Sequence, residues 1–486
     1  MDNNLKRTLG LLDATSIVAG SMIGSGIFIV TTLMMRDIGS AGWMMVLWLL
    51  TGLITVFAAL SYGELAGMMP NAGGQYVYIQ RAYGRMMSFL YGWTVFTVIQ
   101  TGVIAAVAVA FATYAAVFFP ELDIVVLSVG KSFQINYGQI LAIVSIVFLT
   151  FINTKGIQNG KIIQLIFTSA KLFALFALIV LGLAIGLKTD TISQNFTDMW
   201  SASKTTISDS GIITVVPLVG FALAGAMGAT IINSLFSSDA WNNVTFIAAE
   251  IKDPKKNIPR SLFLGTLIVT IIYILANLAY LALLPIHGDP EATDAIGQGI
   301  MFASNDRVGA GAASVIFGGL GVSLMAVLIM ISTFGCNNGL ILAGSRLFSA
   351  MSKDGLFFKE AQKLNKNKVP GSALWIQCVW AGVLCLSGKY GELLEYATFA
   401  SLLFYILTIG GIFVLRKKEP ETERPYKAFG YPIIPILYIL VTTAICVDLL
   451  IYKPISAGFG LVIVLIGIPV YYLTNNKKQP SEELIN

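Results

Sequence analysis

The sequence predicts an all-α multi-pass membrane protein of twelve transmembrane helices, and three observations carry that prediction. Of its 486 residues, 56% are hydrophobic and only 12% charged, where a soluble domain carries about 25% charged residues. The apolar residues fall into stretches of helical length near 12–35, 41–66, 86–118, 136–154, 161–187, 218–249, 259–285, 308–350, 371–388, 391–415, 431–451 and 455–474. A crossing takes about 20 residues, so the chain has room for twelve and none for a large domain outside the bilayer. The third observation is charge placement. With twelve spans, 23 of the 31 Lys and Arg residues fall in the tails, connections and adjoining span ends on the side of both termini, seven on the other side, and Lys171 alone deep inside a span. By the positive-inside rule both termini are expected in the cytoplasm.

In lipid every backbone polar group must be bonded within the chain, so continuous apolar runs of this length read as helices. The short alternating segments of a β-barrel have a different pattern. The first stretch, from Leu11 to Met35, is too long for a signal-peptide core and lacks a small-residue cleavage site; it is expected to be retained. At its middle stands Gly20-Ser21-Met22-Ile23-Gly24-Ser25-Gly26-Ile27-Phe28. Glycine costs about 1 kcal/mol relative to alanine inside a helix, so a break at Gly24–Gly26 is expected. The freed amides at the start of the second half-helix suit a carboxylate. The alternative is that these small residues only allow close helix packing.

Near the inner end of the second span, Glu64 is expected to be an interfacial carboxylate paired with Arg81 or Arg85. In the fifth span Lys171 lies about ten residues deep by this count, where pairing, proton exchange or a tether to the first helix are the open readings. The sixth span is interrupted by Asn233-Ser234-Leu235-Phe236-Ser237-Ser238-Asp239-Ala240-Trp241-Asn242-Asn243, whose side chains compete with helical pairing. Unwound carbonyls there could accept an ammonium group, and Asp239 is too costly at this depth to be idle. Two interruptions five spans apart point to inverted repeats with a substrate held between them at the midplane. The repeats would run over about 12–187 and 218–415, followed by two extra spans at about 431–474, all within one transport domain covering 1–486.

The connections near 188–215 and 286–307 are polar without domain-like patterning. Paired methionines such as Met34-Met35 and Met68-Met69 read as apolar fillers. The single histidine, His287, and four cysteines in apolar runs offer no metal site, no cofactor site and no catalytic cluster, so an enzyme is not expected. The tails have no room for an output domain, which argues against a sensor, and a net charge of +5 does not point to nucleic acid.

At these residues the sequence resembles the amino acid-polyamine-organocation superfamily, within it the L-type amino acid transporter branch. The resemblance runs from Gly20–Phe28 through Tyr62-Gly63-Glu64-Leu65, Pro70-Asn71-Ala72-Gly73-Gly74-Gln75-Tyr76, Lys171, Trp241-Asn242-Asn243, Glu250-Ile251-Lys252-Asp253-Pro254, Asn257-Ile258-Pro259-Arg260, Ser345-Arg346-Leu347-Phe348 and Asp354-Gly355 to Arg424-Pro425-Tyr426. It implies a LeuT-like fold of two inverted five-helix repeats, with the first and sixth helices broken, working by alternating access. By the same resemblance, amides around Ile23, Gly24, Ser25, Gly26 and Ile27 hold the α-carboxylate, and carbonyls around Phe236, Ser237 and Asp239 hold the α-amine. Phe236 is the aromatic gate, and Lys171 stands where sodium-coupled relatives hold an ion. The chain departs from the family at Ser40-Ala41-Gly42, where Ser-Pro-Gly is frequent, and at Ala240, where glycine precedes the tryptophan. Eukaryotic members join a single-span glycoprotein through a cysteine between the third and fourth spans. Residues 119–135 contain no cysteine, so no disulfide-linked partner is expected.

The expected function is sodium-independent exchange of neutral L-amino acids across a cell membrane, plasma or bacterial inner, with Trp241, Asn337 and Ser401 completing the site. Proton-coupled uptake, and exchange of cationic amino acids or polyamines at Asp239, are the alternatives.

Overall fold

The computed structural model describes residues 7–71, 73–129, 133–208, 212–387 and 390–475. Ala72 of the Pro70–Tyr76 motif lies outside them, as do Lys6, Lys131, Lys389, Lys477 and Lys478, which enter the charge count. Ten of the described helices are long and apolar enough to cross a membrane, and their outward faces carry large apolar side chains such as Phe173, Phe176, Leu440 and Ile466. A water-exposed surface of this kind would not persist in a soluble monomer; the protein is a multi-pass helical membrane protein.

The chain opens with α1 (Leu11–Met22), leaves helical geometry, forms one 3-10 turn (Gly26–Phe28) and resumes as α2 (Val30–Ile38). Helix α3 (Ala41–Met68) starts where Ser40 accepts a bond from the Trp43 amide. Then come α4 (Gln75–Tyr83), α5 (Arg85–Ala115), α6 (Tyr137–Thr154) and α7 (Ile157–Gly186). In α5 the residues Val95–Ile99 form a π turn. After the short α8 (Thr191–Thr197), α9 (Gly220–Ser237) ends at the second interruption, followed by the single turn α10 (Asn243–Phe246) and by α11 (Pro254–Leu283). The rest comprises the short α12 (Ala295–Gln298), then α13 (Val308–Phe317), α14 (Leu320–Lys353), α15 (Gly371–Ser387), α16 (Tyr390–Lys418), α17 (Ile433–Tyr452) and α18 (Pro454–Asn475).

Helix α1 lies at the centre, packed against α7, α11 and α14; α3 packs along α11, and α5 along α14. Close approach is bought with small residues: a Cβ on Gly265 of α11 would sit 2.4 Å from the Val18 side chain of α1, and one on Gly52 of α3 would sit 2.2 Å from Thr270 of α11. In lipid, where helices gain little by hiding from water, such fit is what holds a bundle together.

Three expectations are corrected. The stretch 308–350 is two helices, because the chain turns at Gly318, whose φ is +62°. Forty-three residues of helix would run to about 64 Å, twice the hydrocarbon thickness. The fold is also not purely helical: β1 (Val125–Val129) pairs with β2 (Phe133–Asn136), and β3 (Ala202–Ile207) with β4 (Ile213–Leu218), both antiparallel. The β3–β4 pair structures a connection, near 188–215, that had read as a plain polar loop. Finally, Glu64 pairs with neither Arg81 nor Arg85. Arg81 donates to Glu419 and Arg85 to the Asp354 carbonyl. Glu64, 1% exposed, accepts from Arg416 at 2.6 and 2.9 Å and from the Ala428 amide at 2.7 Å, with Arg424 at 3.3 Å. The basic partners nearest in sequence sit on α4 and α5, while packing brings the end of α16 to the Glu64 turn of α3.

Candidate functional site

The end of α1 leaves carbonyls without helical partners, and at this depth there is no water to take them. The surrounding helices supply a donor to each. Lys171 on α7, 1% exposed, donates to the carbonyls of Gly20 at 2.7 Å, Ile23 at 2.6 Å and Ser332 at 3.3 Å, one for each ammonium hydrogen. Cys336 Sγ donates to Ser21 at 3.1 Å, and the Tyr273 hydroxyl to Met22 at 3.1 Å. The Ser332 hydroxyl lies 3.2 Å from the Ile23 carbonyl and 3.1 Å from that of Gly24. A cation at a helix C-terminus also meets the negative end of its dipole. Lys171 therefore sits behind the interruption as its counter-charge, on the far side from the open space.

Helix α9 keeps its hydrogen bonding through Ser237, so the unwinding falls on Ser238–Asn242, the C-terminal half of the polar run. Ala240 takes φ +64°, a conformation a Cβ disfavours by roughly 1–2 kcal/mol. The Tyr273 hydroxyl also lies 3.0 Å from the Ser237 carbonyl, so its one proton is shared between carbonyls of the two interruptions. They also touch directly. A Cβ on Gly26 would lie 2.2 Å from Ser237 Oγ and 3.1 Å from its Cα, which leaves glycine as the residue that fits.

Between the interruptions is a cavity of about 40 Å³, where one water occupies about 10–15 Å³. One wall holds Gly24, Ser25 and Gly26, where the 3-10 turn begins and amides point along the positive end of a helical turn. The facing wall holds Phe236, Ser237 and Asp239, whose Oδ1 accepts from the Tyr405 hydroxyl at 2.5 Å. Val95, Ile99, Val103 and Val107 of α5, with Leu340 of α14, make an apolar side. Amides opposite a carboxylate and helix-end carbonyls form a dipolar slot, the field that a zwitterion with one anionic and one cationic end matches.

Of the residues singled out in the sequence, Gly24, Ser25, Gly26, Phe236, Ser237, Asp239 and Ser401 line this cavity. Ile23 and Ile27 turn their side chains into the core, leaving only their backbone near it. Trp241 stands behind the slot, edge to face with Tyr62 at 4.8 Å and tilted on Tyr405 at 5.4 Å, lining a smaller cavity across Asp239 and Ser401. Asn337 donates to the Ile104 carbonyl at 3.2 Å and does not reach the cavity lining.

Sequence reading missed a polar cluster. Gln75 Oε1 accepts from the Tyr91 hydroxyl and from Asn242 Nδ2, both at 2.9 Å, while its Nε2 donates to Thr408 at 2.9 Å. Gln75, Tyr91, Asn242, Gln100 and Tyr405 all line the cavity. Gln75 and Asn242 stood in motifs already noted, and a polar side chain between apolar runs was the available signal; Tyr91 and Gln100 lay inside an apolar run with nothing to mark them. The four cysteines are free and buried. Among the described residues no group of His, Cys, Asp and Glu is arranged to hold a metal ion.

The family model described as amino acid permease matches residues 9–476. The chain is 30% identical over 480 residues to the serine/threonine exchanger SteT of Bacillus subtilis, covering 98% of this chain and 99% of that protein. It is 30% identical over 487 residues to the large neutral amino acids transporter small subunit 2 of Homo sapiens, covering 96% and 80% respectively. To the b(0,+)-type amino acid transporter 1 of Mus musculus it is 27% identical, over 97% of this chain and 88% of that protein.

Proposed function

Since the chain belongs to the amino acid permease family, we propose that it exchanges neutral L-amino acids across a membrane, without sodium, by alternating access. The observation that carries this reading is the slot between the two interruptions, with amide donors on one wall and carbonyl and carboxylate acceptors on the other. The amides of Ser25, Gly26 and Ile27 take the α-carboxylate. The ammonium goes to the helix-end carbonyls around Phe236, Ser237 and Asp239, of which Ser237 already receives Tyr273 and has one lone pair left. Phe236 closes over the bound molecule.

Lys171 supports sodium independence: its ammonium occupies the carbonyls of Gly20, Ile23 and Ser332, acceptors that a bound cation would otherwise need. In this reading the chain crosses the bilayer twelve times, α1 with α2 and α15 supplying the two crossings beyond the ten long helices. It has the LeuT-like arrangement of two inverted repeats at about 12–187 and 218–415. Both termini face the cytoplasm, the membrane is the cell membrane, and no disulfide-linked subunit is required.

The test is uptake of labelled serine, alanine and leucine into sodium-free liposomes at equal pH on both sides, with and without unlabelled amino acid inside. Uptake that needs the internal pool is the expected result. Uptake into empty vesicles that appears only when a pH gradient is then imposed would replace exchange with proton coupling. The Asp239 carboxylate on the cavity wall favours one second reading, cationic amino acids or polyamines as substrates. Competition by lysine or putrescine against labelled leucine would establish it.

A further inference from the structure

Away from the central slot, a groove of about 1080 Å³ opens on the outer face of the bundle at its Lys- and Arg-rich end. The π turn in α5 carries its floor: Phe96 is stacked on Trp380 of α15, ring centroids 6.1 Å apart and planes 23° apart, and the Trp380 indole donates to the Thr97 carbonyl at 3.0 Å. Phe151 of α6 forms one side; Trp375 and Val379 of α15 form the other. These side chains are exposed, Val379 at 67% and Phe151 at 49%. From Ser372 to Trp380 the groove follows about 12 Å of helix, close to the roughly 15 Å of hydrocarbon in one leaflet.

The rim identifies the occupant. Residues 358–371 hold Lys359, Lys363, Lys366 and Lys368 against a single acidic residue, Glu360. Across the opening Lys155 stands with its Nζ 4.5 Å from the centre of the Phe151 ring. Asn365 and Asn367 bind this segment to the Thr154 carbonyl at 2.8 and 3.0 Å, which ties the lysine-bearing segment to the end of α6; Lys359 stands between Phe358 and Glu360, both of which line the groove. We propose that the groove is a site for an anionic phospholipid, with one acyl chain lying on Phe96 and Trp380 between Phe151 and Val379 and the phosphate held by Lys155 and Lys359. The assignment rests on the membrane-spanning reading and is independent of what the central slot carries.

The test uses the purified full chain, delipidated in detergent. Phosphatidylglycerol is titrated against phosphatidylcholine of the same chains, read by melting temperature and by bound lipid in native mass spectrometry. Phosphatidylglycerol is expected to bind saturably at concentrations about tenfold or more below phosphatidylcholine. Combined Lys155→Gln and Lys359→Gln, at exposed positions, should weaken it by about 25-fold, roughly fivefold for each lysine, and leave phosphatidylcholine unchanged. Val379→Trp should fill the groove and abolish the bound adduct. Equal binding of the two lipids, or phosphatidylglycerol binding untouched by the lysine pair, would overturn the proposal. Should Val379→Trp fold poorly, the two surface lysines decide it alone.

Discussion

Single residues at the two interruptions carry unequal loads. Ala240 holds a left-handed backbone with a side chain that opposes it. Ala240→Gly removes roughly 1–2 kcal/mol of that opposition and loosens the unfolded chain by about 0.5–1 kcal/mol. A net gain of up to about 1 kcal/mol is expected, seen as a higher melting temperature in detergent. Lys171 is the opposite case. In Lys171→Gln the carbonyls of Gly20, Ile23 and Ser332 lose charge-assisted donors in a place without water, at roughly 2–4 kcal/mol. The expected outcome is a lower melting temperature and loss of exchange at every pH. Exchange that survives and only loses its response to pH would make Lys171 a proton carrier instead of a tether.

At the scale of elements, the site exists because helices stop. Alpha-helix α1 stops where Gly24-Ser25-Gly26 removes the preference for helix, and α9 where Ser, Asp and Asn offer rival hydrogen bonds, so both departures were legible in composition. Their fit against each other was not. Gly26 is needed because Ser237 lies against it, and Gly26→Ala should force the interruptions apart at a cost of about 1–3 kcal/mol. The check is paired: transport in liposomes should fall to background, and the melting temperature should drop by less than in Lys171→Gln. Tyr273, tied to Met22 and Ser237 together, was likewise invisible in the sequence, since one tyrosine in an apolar helix has no local mark. Glu64 teaches the same lesson at the membrane boundary. Its burial and need for a cation followed from its type, but Arg416 and Arg424 lie more than 350 positions away.

For the whole molecule, the two ends of the bundle differ in charge and construction. One end gathers Arg36 with Asp306, the β3–β4 hairpin and the turn at Ser304. The other gathers Glu64 with Arg416, the buried Arg346–Glu250 pair and the lysine-rich segment 359–368. With the second end in the cytoplasm, Ser304→Cys should react with an impermeant maleimide on intact cells, and Lys359→Cys only after permeabilisation. All four native cysteines are buried, so the unmodified chain supplies a blank; the reverse labelling pattern would invert the orientation.

Composition by itself determined that this chain lives in a membrane as a helical bundle, because solvent partition depends on how many polar groups a chain has and hardly on their order in space. Residue type also marked where helices would falter and which charges could not be left alone, since backbone propensity and desolvation are local costs. What only the tertiary structure decided was partnership: which carbonyl Lys171 meets, which arginines answer Glu64, that Gln75 and Tyr91 join the wall of the slot, and that Trp241 and Asn337 stand outside it. Those choices depend on how helices far apart in sequence approach and rotate against one another, and a packed interface is a property of two surfaces that neither surface records alone.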